Sequence, residues 1–345
     1  MIPGQGTPGA GVTLGIDIGG TKILGVALDR HDHVVTDARV STPIGPNQLA
    51  RADYAEAVAD AVMSVVAQLD RALAIPASTV PASTVPAGAV GIGVPGMVDR
   101  QGNLRCAPNL PRAQGVDWVT LMASRLPGRP VLVENDANFA VLAEHRLGAA
   151  RRFDHVLMVT LGTGIGGGLV VDGRVQVGAF GFAGEIGHMV VDPAGPPCPC
   201  GRHGCWERYA SGAGLGMVAR QAALAGRLGA VLQGAGGDPE SVRGEDVSTA
   251  AAAGDPQAQA VLAEVGTWVG FGLANLACVT DPECFVLGGG LVRAGEPLFS
   301  AARTAFAAQV EGGEKRPPAA VVPAAYGERA GAVGAALAAR LGGLW

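Results

Sequence analysis

Apolar runs and glycine-rich turns alternate along the first third of the chain. Residues 12–17 and 23–28 are short apolar runs separated by Ile18-Gly-Gly-Thr-Lys22, and residues 34–40 form a third after His31-Asp-His33. Three β-like runs in quick succession, joined by turns, predict an antiparallel meander. Residues 54–73 then carry Ala, Val, Met and Leu at helical spacing. Residues 89–94 read as a buried strand ending in Gly93-Val-Pro-Gly96, and residues 131–134 as another that feeds a helix over 137–147. Two strands, Val156–Leu161 and 168–171, flank a glycine-dense turn. Further on the pattern is helical and alanine-rich over 215–228, 247–253 and 258–277. A strand at 284–287 opens onto Gly288-Gly-Gly290, and an apolar helix over 330–341 closes the pattern.

Strands followed by helices, twice over, predict an α/β protein of two lobes with an interlobe cleft. The first lobe is expected to hold 12–135, completed by the C-terminal helix at 330–345, and the second 136–329. One stretch stands outside this pattern. Pro76-Ala-Ser-Thr-Val80 repeats at Pro81-Ala-Ser-Thr-Val85, with a degenerate third copy to Val90. Its period is far too short for a solenoid, so it reads as a lengthened surface loop with no function assigned.

Composition narrows the class. Of 345 residues, 48% are hydrophobic and 16% charged, enough for a large core. A net charge of −5 and a pI near 5.7 argue against a broad nucleic-acid or membrane-binding face. Residues 1–11 are rich in Gly and Pro and lack the basic stretch and apolar run of a signal peptide. No run of 18 consecutive apolar residues occurs, so a membrane span is not expected and a cytoplasmic location is. Three of the six cysteines, Cys198, Cys200 and Cys205, crowd one loop, which suits a metal better than disulfides.

Two glycine turns carry the first chemistry. Asp17-Ile-Gly-Gly-Thr-Lys22 has P-loop glycine spacing at Gly15 and Gly20. Thr21 and Lys22 come in the wrong order, however, and a strand follows where a P-loop opens a helix. Such a hairpin either is a plain tight turn or binds phosphate through the N–H groups of Gly19 and Gly20 and the Thr21 hydroxyl. In the second reading Asp17 holds Mg²⁺ through water. Gly162-Thr-Gly-Ile-Gly-Gly-Gly168 matches a dinucleotide fingerprint, but a strand again continues it, so that reading is rejected. Two strand–turn–strand elements, one per lobe, are what a nucleotide clamp needs. The arrangement looks like the actin-like ATPase (ribonuclease H-like) fold of hexokinases and glycerol kinases. Gly288-Gly-Gly290, with Gly289 at its centre, fits the place where such folds lay adenosine against backbone.

His188, Cys198, Cys200 and Cys205, with Gly201 and Gly204 for the turns, make a closed tetrahedral donor set, the structural zinc pattern. The competing readings are unligated thiols or a redox centre, and Cys-x-Cys is not a thioredoxin spacing. The knuckle and its flank, 188–207, place two carboxylates, Glu185 and Glu207, beside the metal loop. Glu134-Asn-Asp-Ala-Asn138 sits where a buried strand turns into a helix. There Asp136 either caps the helix, or accepts the proton of an attacking hydroxyl, or does both.

The order of these motifs resembles the ROK family of sugar kinases and repressors. The strings ENDAN, GEIGH and CxCGxxGCWE carry the resemblance, which spans nearly the whole chain, and Gly204 to Ser211 is most like actinobacterial-type glucokinases. The resemblance implies ATP-dependent phosphorylation of glucose, with Asp136 as base. Asn109, Asn135, Asp136, Glu185, His188 and Glu207 would bind the sugar. Asp17, Gly19, Gly20, Thr21, Lys22, Gly162, Thr163 and Gly164 would surround Mg-ATP. Expected cofactors are ATP, Mg²⁺ and a structural Zn²⁺; the expected partners are sugar and ATP, with no nucleic acid and no membrane, and the expected assembly is a homodimer or homotetramer. Family substrates also include N-acetylmannosamine, N-acetylglucosamine, fructose and allose, and a non-catalytic sugar sensor is the alternative of another class. Only eleven residues precede the first strand, which disfavours a repressor with a DNA-binding helix-turn-helix, and the cysteine knuckle favours ATP over polyphosphate. The loop after Asn109 lacks the family's usual Gly-Trp.

Overall fold

The structure is a computed structural model that describes residues 11–43, 51–74, 88–107, 110 and 112–344 of the chain. In chain order, β1 (Thr13–Ile18), β2 (Lys22–Leu28) and β3 (Val34–Ser41) precede helix α1 (Arg51–Ala74). β4 (Val90–Val94) leads into a small hairpin of β5 (Met97–Val98) and β6 (Leu104–Cys106), then α2 (Trp118–Arg125), β7 (Val131–Asn135) and α3 (Asp136–Arg146). β8 (Val156–Leu161), β9 (Ile165–Val171) and β10 (Arg174–Val175) follow. Next come helices α4 (Glu207–Ala210), α5 (Gly212–Leu224), α6 (Gly229–Gly234), α7 (Gly244–Ala252) and α8 (Pro256–Thr280). β11 (Cys284–Gly288), α9 (Glu296–Gln309), β12 (Ala320–Pro323) and α10 (Ala330–Leu341) complete the chain.

The strands form two five-stranded sheets, β3-β2-β1-β4-β7 and β10-β9-β8-β11-β12, so the α/β class stands. The chain divides into two compact units. One takes Met1–Arg152, Gly168–Gly184 and Arg329–Trp345, the other Phe153–Gly167 and Glu185–Glu328. The division expected after Asn135 therefore falls inside the first unit, which keeps α3 because that helix packs on α10 and β4.

In the first unit the meander is antiparallel, with Ile18 opposite Ile23, while β4 and β7 add in parallel. Every β1 residue except Asp17 is buried, since helices cover both faces of that strand. α1 lays Val58, Val62, Val65 and Leu69 onto one face. α10 lies on the other at backbone contact: a Cβ on Gly15 would sit 1.9 Å from Ala332 O, and one on Gly91 2.1 Å from Ala335 O. Glycine in the strands and alanine in the helix are what let the two backbones approach.

In the second unit β8, β11 and β12 run parallel. α8 and α9 pack equally closely, since a Cβ on Gly270 would meet Ala302 O at 2.3 Å. α8 is long and apolar enough by length and composition to cross a membrane, and most of it is buried here in the core. It runs past the expected end at 277 until Asp281, at φ 42°, caps it in the left-handed conformation.

Candidate active site

In the first unit β1 ends at Asp17, and the Gly19 N–H closes the turn onto Lys22 O at 2.9 Å. Thr42, only 2% exposed just beyond β3, pins this turn: its hydroxyl donates to Gly19 O at 2.6 Å and its N–H to Thr21 O at 3.0 Å. The turn thus leaves the N–H groups of Gly20 and Thr21 out of its own closure, as anion binding requires. Asp17 lies against the first turn of α10, where a Cβ on Gly331 would come within 2.8 Å of Oδ2. Burial pushes the Asp17 carboxyl up to about 6, against the pull of Lys22.

The β7–α3 junction is tied to backbone at every step. Asn135 Oδ1 caps α3 by accepting from the N–H groups of Ala137 and Asn138 at 2.9 and 3.1 Å, and Nδ2 donates to Gly96 O at 2.9 Å. With both lone pairs of Oδ1 used, Asn135 has one amide hydrogen that takes no partner among the described residues. Asp136 Oδ1 accepts from the Ala137 N–H at 2.8 Å. Burial first, and the charge of Asp17 second, push Asp136 up to about 7. Asn135 is thus the residue that caps α3, while Asp136 accepts the Ala137 N–H through one oxygen. Asn109 lies outside the described residues.

In the second unit the Gly162 turn closes on itself, Gly162 N–H to Gly164 O at 3.0 Å. The turn is held against α5, with Gly212 N–H donating to Gly162 O at 2.8 Å and Ala213 N–H to Thr163 O at 3.2 Å. Gly289, at φ 85°, stands where a Cβ would be 2.5 Å from Leu161 O, so the third glycine motif abuts the strand that delivers the second. β9 starts at Ile165, directly after this turn and three residues before the expected strand, because Gly166 and Gly167 extend within it.

The four expected metal ligands converge. One donor atom each from His188, Cys198, Cys200 and Cys205 lies within 4.8 Å of all the others. Cys198 Sγ is 3.8 Å from His188 Nδ1, and Cys200 Sγ is 3.6 Å from Cys205 Sγ. Ligands at about 2.0–2.3 Å from a tetrahedral zinc must stand roughly 3.5–3.8 Å apart, so the donor set fits that ion. Burial, and then the Glu207 carboxyl, push the Cys198 thiol up, a penalty that a bound dication would reverse. The loop needs its glycines: Gly204 has φ 64°, and a Cβ there would sit 1.5 Å from Asp192 O. Trp206, fully buried, anchors it to α8 by donating from Nε1 to Trp268 O at 2.7 Å. Tyr209 stacks on Trp268 and donates to Asp192 Oδ2 at 2.9 Å.

Both glutamates meet this centre. With Nδ1 turned to the thiols, His188 Nε2 faces Glu185 Oε2 at 3.9 Å. Glu207 is only 8% exposed; its Oε1 is 3.1 Å from Cys198 Sγ and 3.6 Å from His188 Nδ1, and its Oε2 accepts from Ile165 N–H at 3.4 Å. Glu207 therefore leans on the metal donors as much as on any open space. Thr42, Glu134 and Gly331 were not anticipated as site residues. No local pattern marks Thr42 or Gly331, whose partners are distant in sequence, while Glu134 stands in the recognised ENDAN string.

The profile of the ROK family matches residues 13–341. A glucokinase from Streptomyces coelicolor is 38% identical over 337 residues, covering 96% of this chain and 98% of that protein. An N-acetylmannosamine kinase from Escherichia coli is 32% identical over 334 residues, covering 95% and 98%. The crystal structure of a ROK family glucokinase from Streptomyces griseus, in complex with glucose and AMPPNP, superposes with a TM-score of 0.83 at 38% identity, covering 96% of this chain and 100% of that one.

Proposed function

We propose that this chain, which belongs to the ROK family, transfers the γ-phosphoryl group of ATP to the 6-hydroxyl of glucose. It is an ATP-dependent sugar kinase of the actin-like ATPase fold, as its full-length similarity to glucokinases and to a glucose- and AMPPNP-bound relative supports. The observation that carries the mechanism is the state of Asp136. One oxygen is fixed by the Ala137 N–H, and the carboxyl is raised to about 7, where at neutral pH a base is about half ionised and its ionised form holds a proton well.

In this reading Asp136 accepts the proton of the 6-hydroxyl as that oxygen attacks the γ-phosphorus in line, and the β–γ bridging oxygen leaves with ADP. Gly19 and Gly162 spend their own N–H groups closing the two turns, so the N–H groups of Gly20, Thr21, Thr163 and Gly164, with Lys22, receive the phosphates, and Gly289 gives adenosine a flat backbone. Magnesium held through water at Asp17 would neutralise charge on the triphosphate. His188, Cys198, Cys200 and Cys205 would hold a structural zinc, which would fix their loop, and His188 Nε2 and Glu185 would then face sugar hydroxyls. Glu207 and the remaining amide hydrogen of Asn135 complete the set.

The second reading is a kinase for N-acetylmannosamine, favoured by the 32% identical relative that bears that name. A coupled assay of ADP release over glucose, fructose, N-acetylmannosamine and N-acetylglucosamine decides between them. The proposal expects kcat/KM for glucose to exceed that for each other sugar by at least about tenfold, a gap of roughly 1.4 kcal/mol in transition-state binding. A preference for an N-acetylhexosamine would replace it with the second reading.

A further inference from the structure

Glu134 is the one carboxylate of the β7–α3 junction to which the mechanism gives no work. It is the last strand residue but one, paired with Gly93 of β4, and the next two residues are the α3 cap and the proposed base. Its Oε1 accepts from the Asn135 N–H at 2.7 Å and from Asn138 Nδ2 at 3.2 Å. Two hydrogen bonds fill the lone pairs of one oxygen, so Oε1 behaves as a carbonyl and any proton resides on Oε2.

Asn138 supplies the complementary observation. The residue is 1% exposed, and its Oδ1 has no hydrogen-bond partner among the described residues. A buried amide oxygen left without a donor is costly, and natural structures avoid it. A carboxylate cannot help, because it has no hydrogen to give. A carboxylic acid can: it pairs with a carboxamide head to head, amide N–H to the acid carbonyl and acid O–H to the amide oxygen. Half of that pair is already formed here, and the orphaned oxygen is its other half.

We propose that Glu134 works as a neutral acid, paired with Asn138, and that this pair is the positioning device that holds Asp136 at the end of β7. The inference rests on the reading of Asp136 as base. The surroundings agree with it. Burial raises the Glu134 carboxyl to about 7, and the charge of Asp99 adds in the same direction. Asp99 is itself held ionised: burial alone would raise it, but hydrogen bonds from Asn103, Arg105 and Gln101 bring it below the usual range. The other charged or titratable groups on packed elements are Asp136 on α3, with Glu144, His145 and Arg146 in the last turns of that helix, Arg125 on α2, bound to Glu56 and Asp60, and Arg340 on α10, bound to Asp29 and Asp32. β4 carries none. No cation bonded to Glu134 is found among the described residues to favour its ionised form.

Glu134→Gln tests this, since a glutamine copies the neutral acid and cannot ionise. In the wild type, kcat/KM for glucose should rise with pH as Asp136 ionises and fall again as Glu134 loses its proton and the pair opens. In E134Q the alkaline fall should vanish, so that the ratio of kcat/KM at pH 9 to that at pH 7 increases at least about threefold. The melting temperature of substrate-free protein should also drop less between pH 5 and 8 in E134Q than in the wild type. An unchanged alkaline limb in an active E134Q enzyme overturns the proposal, whatever the melting shows. A changed melting slope in a wild type that phosphorylates no hexose would instead overturn the kinase reading and leave the neutral pair standing.

Discussion

Gly272→Ala should destabilise the protein although the change improves an α-helix. Gly272 lies in the interior of α8, where alanine is worth about 0.8–1 kcal/mol more than glycine. Its Cβ, however, would sit 2.0 Å from Cε2, 2.2 Å from Cζ2 and 2.5 Å from Nε1 of Trp206. That ring is fully buried and fixed by its hydrogen bond to Trp268 O, so it has nowhere to swing. Overpacking of this kind costs typically 1–3 kcal/mol, and losing the buried indole hydrogen bond costs about 1–3 more. The clash wins by roughly 1–5 kcal/mol net, or on the order of 2–20 °C in melting temperature for a unit of this size. Trp206 stands between Cys205 and Glu207, so its displacement should also lower zinc occupancy and raise the KM for sugar more than that for ATP. Thermal melts, elemental analysis and two-substrate kinetics on G272A are the assay. A variant that melts at or above the wild-type temperature with zinc intact would show that the ring is not wedged against α8, and the argument that α8 braces the metal loop would fail.

Removing a metal ligand should act on stability and sugar binding together: Cys200→Ser is expected to lose most of its zinc and at least about 2 kcal/mol of stability, because metal binding free energy is folding free energy at such a site. Elemental analysis finding no zinc in freshly purified, unchelated wild type would refute this. Stability of the substrate-free protein should fall as pH rises from about 4.5 to 7, since Asp17, Glu134 and Asp136 are raised to about 6, 7 and 7. The native state binds more protons than the unfolded one across that window, so the stabilisation is complete below the unfolded values and is lost through the folded ones. A melting temperature that climbs over this range would contradict the burial of these groups.

Much of this was legible because the signals are local. Residues 12–41 announce a meander by alternation with glycine turns, and His188 with three cysteines announces a metal by ligand type and spacing. What escaped depends on partners far along the chain. α2, anchored by a single Asp117 cap with only Trp118 and Met122 buried, has too short an apolar stripe to show a helical period. α9 buries five of its fourteen residues, and β12 is four residues with a proline, so neither gives a clear pattern. The glycines at 15, 91 and 270 fall inside stretches read as strands or helix, and nothing local shows that each admits another backbone. Thr42 reaches back 23 positions to Gly19, and Trp206 reaches 62 positions to Trp268. Glu134 was visible as a letter in a motif, but its pairing emerged only with the orphaned oxygen of Asn138.

The central claim is that this chain phosphorylates glucose with Asp136 as the base, and one comparison addresses it directly: release of ADP and formation of glucose 6-phosphate by wild type and Asp136→Asn with glucose and Mg-ATP. The wild type should release one ADP for each glucose 6-phosphate and almost none without sugar. The variant, isosteric and still folded, should lose about 10²–10⁴ in kcat, the usual worth of general base catalysis. Retention of more than a tenth of wild-type kcat by D136N, or ADP release that does not depend on glucose, would contradict the account.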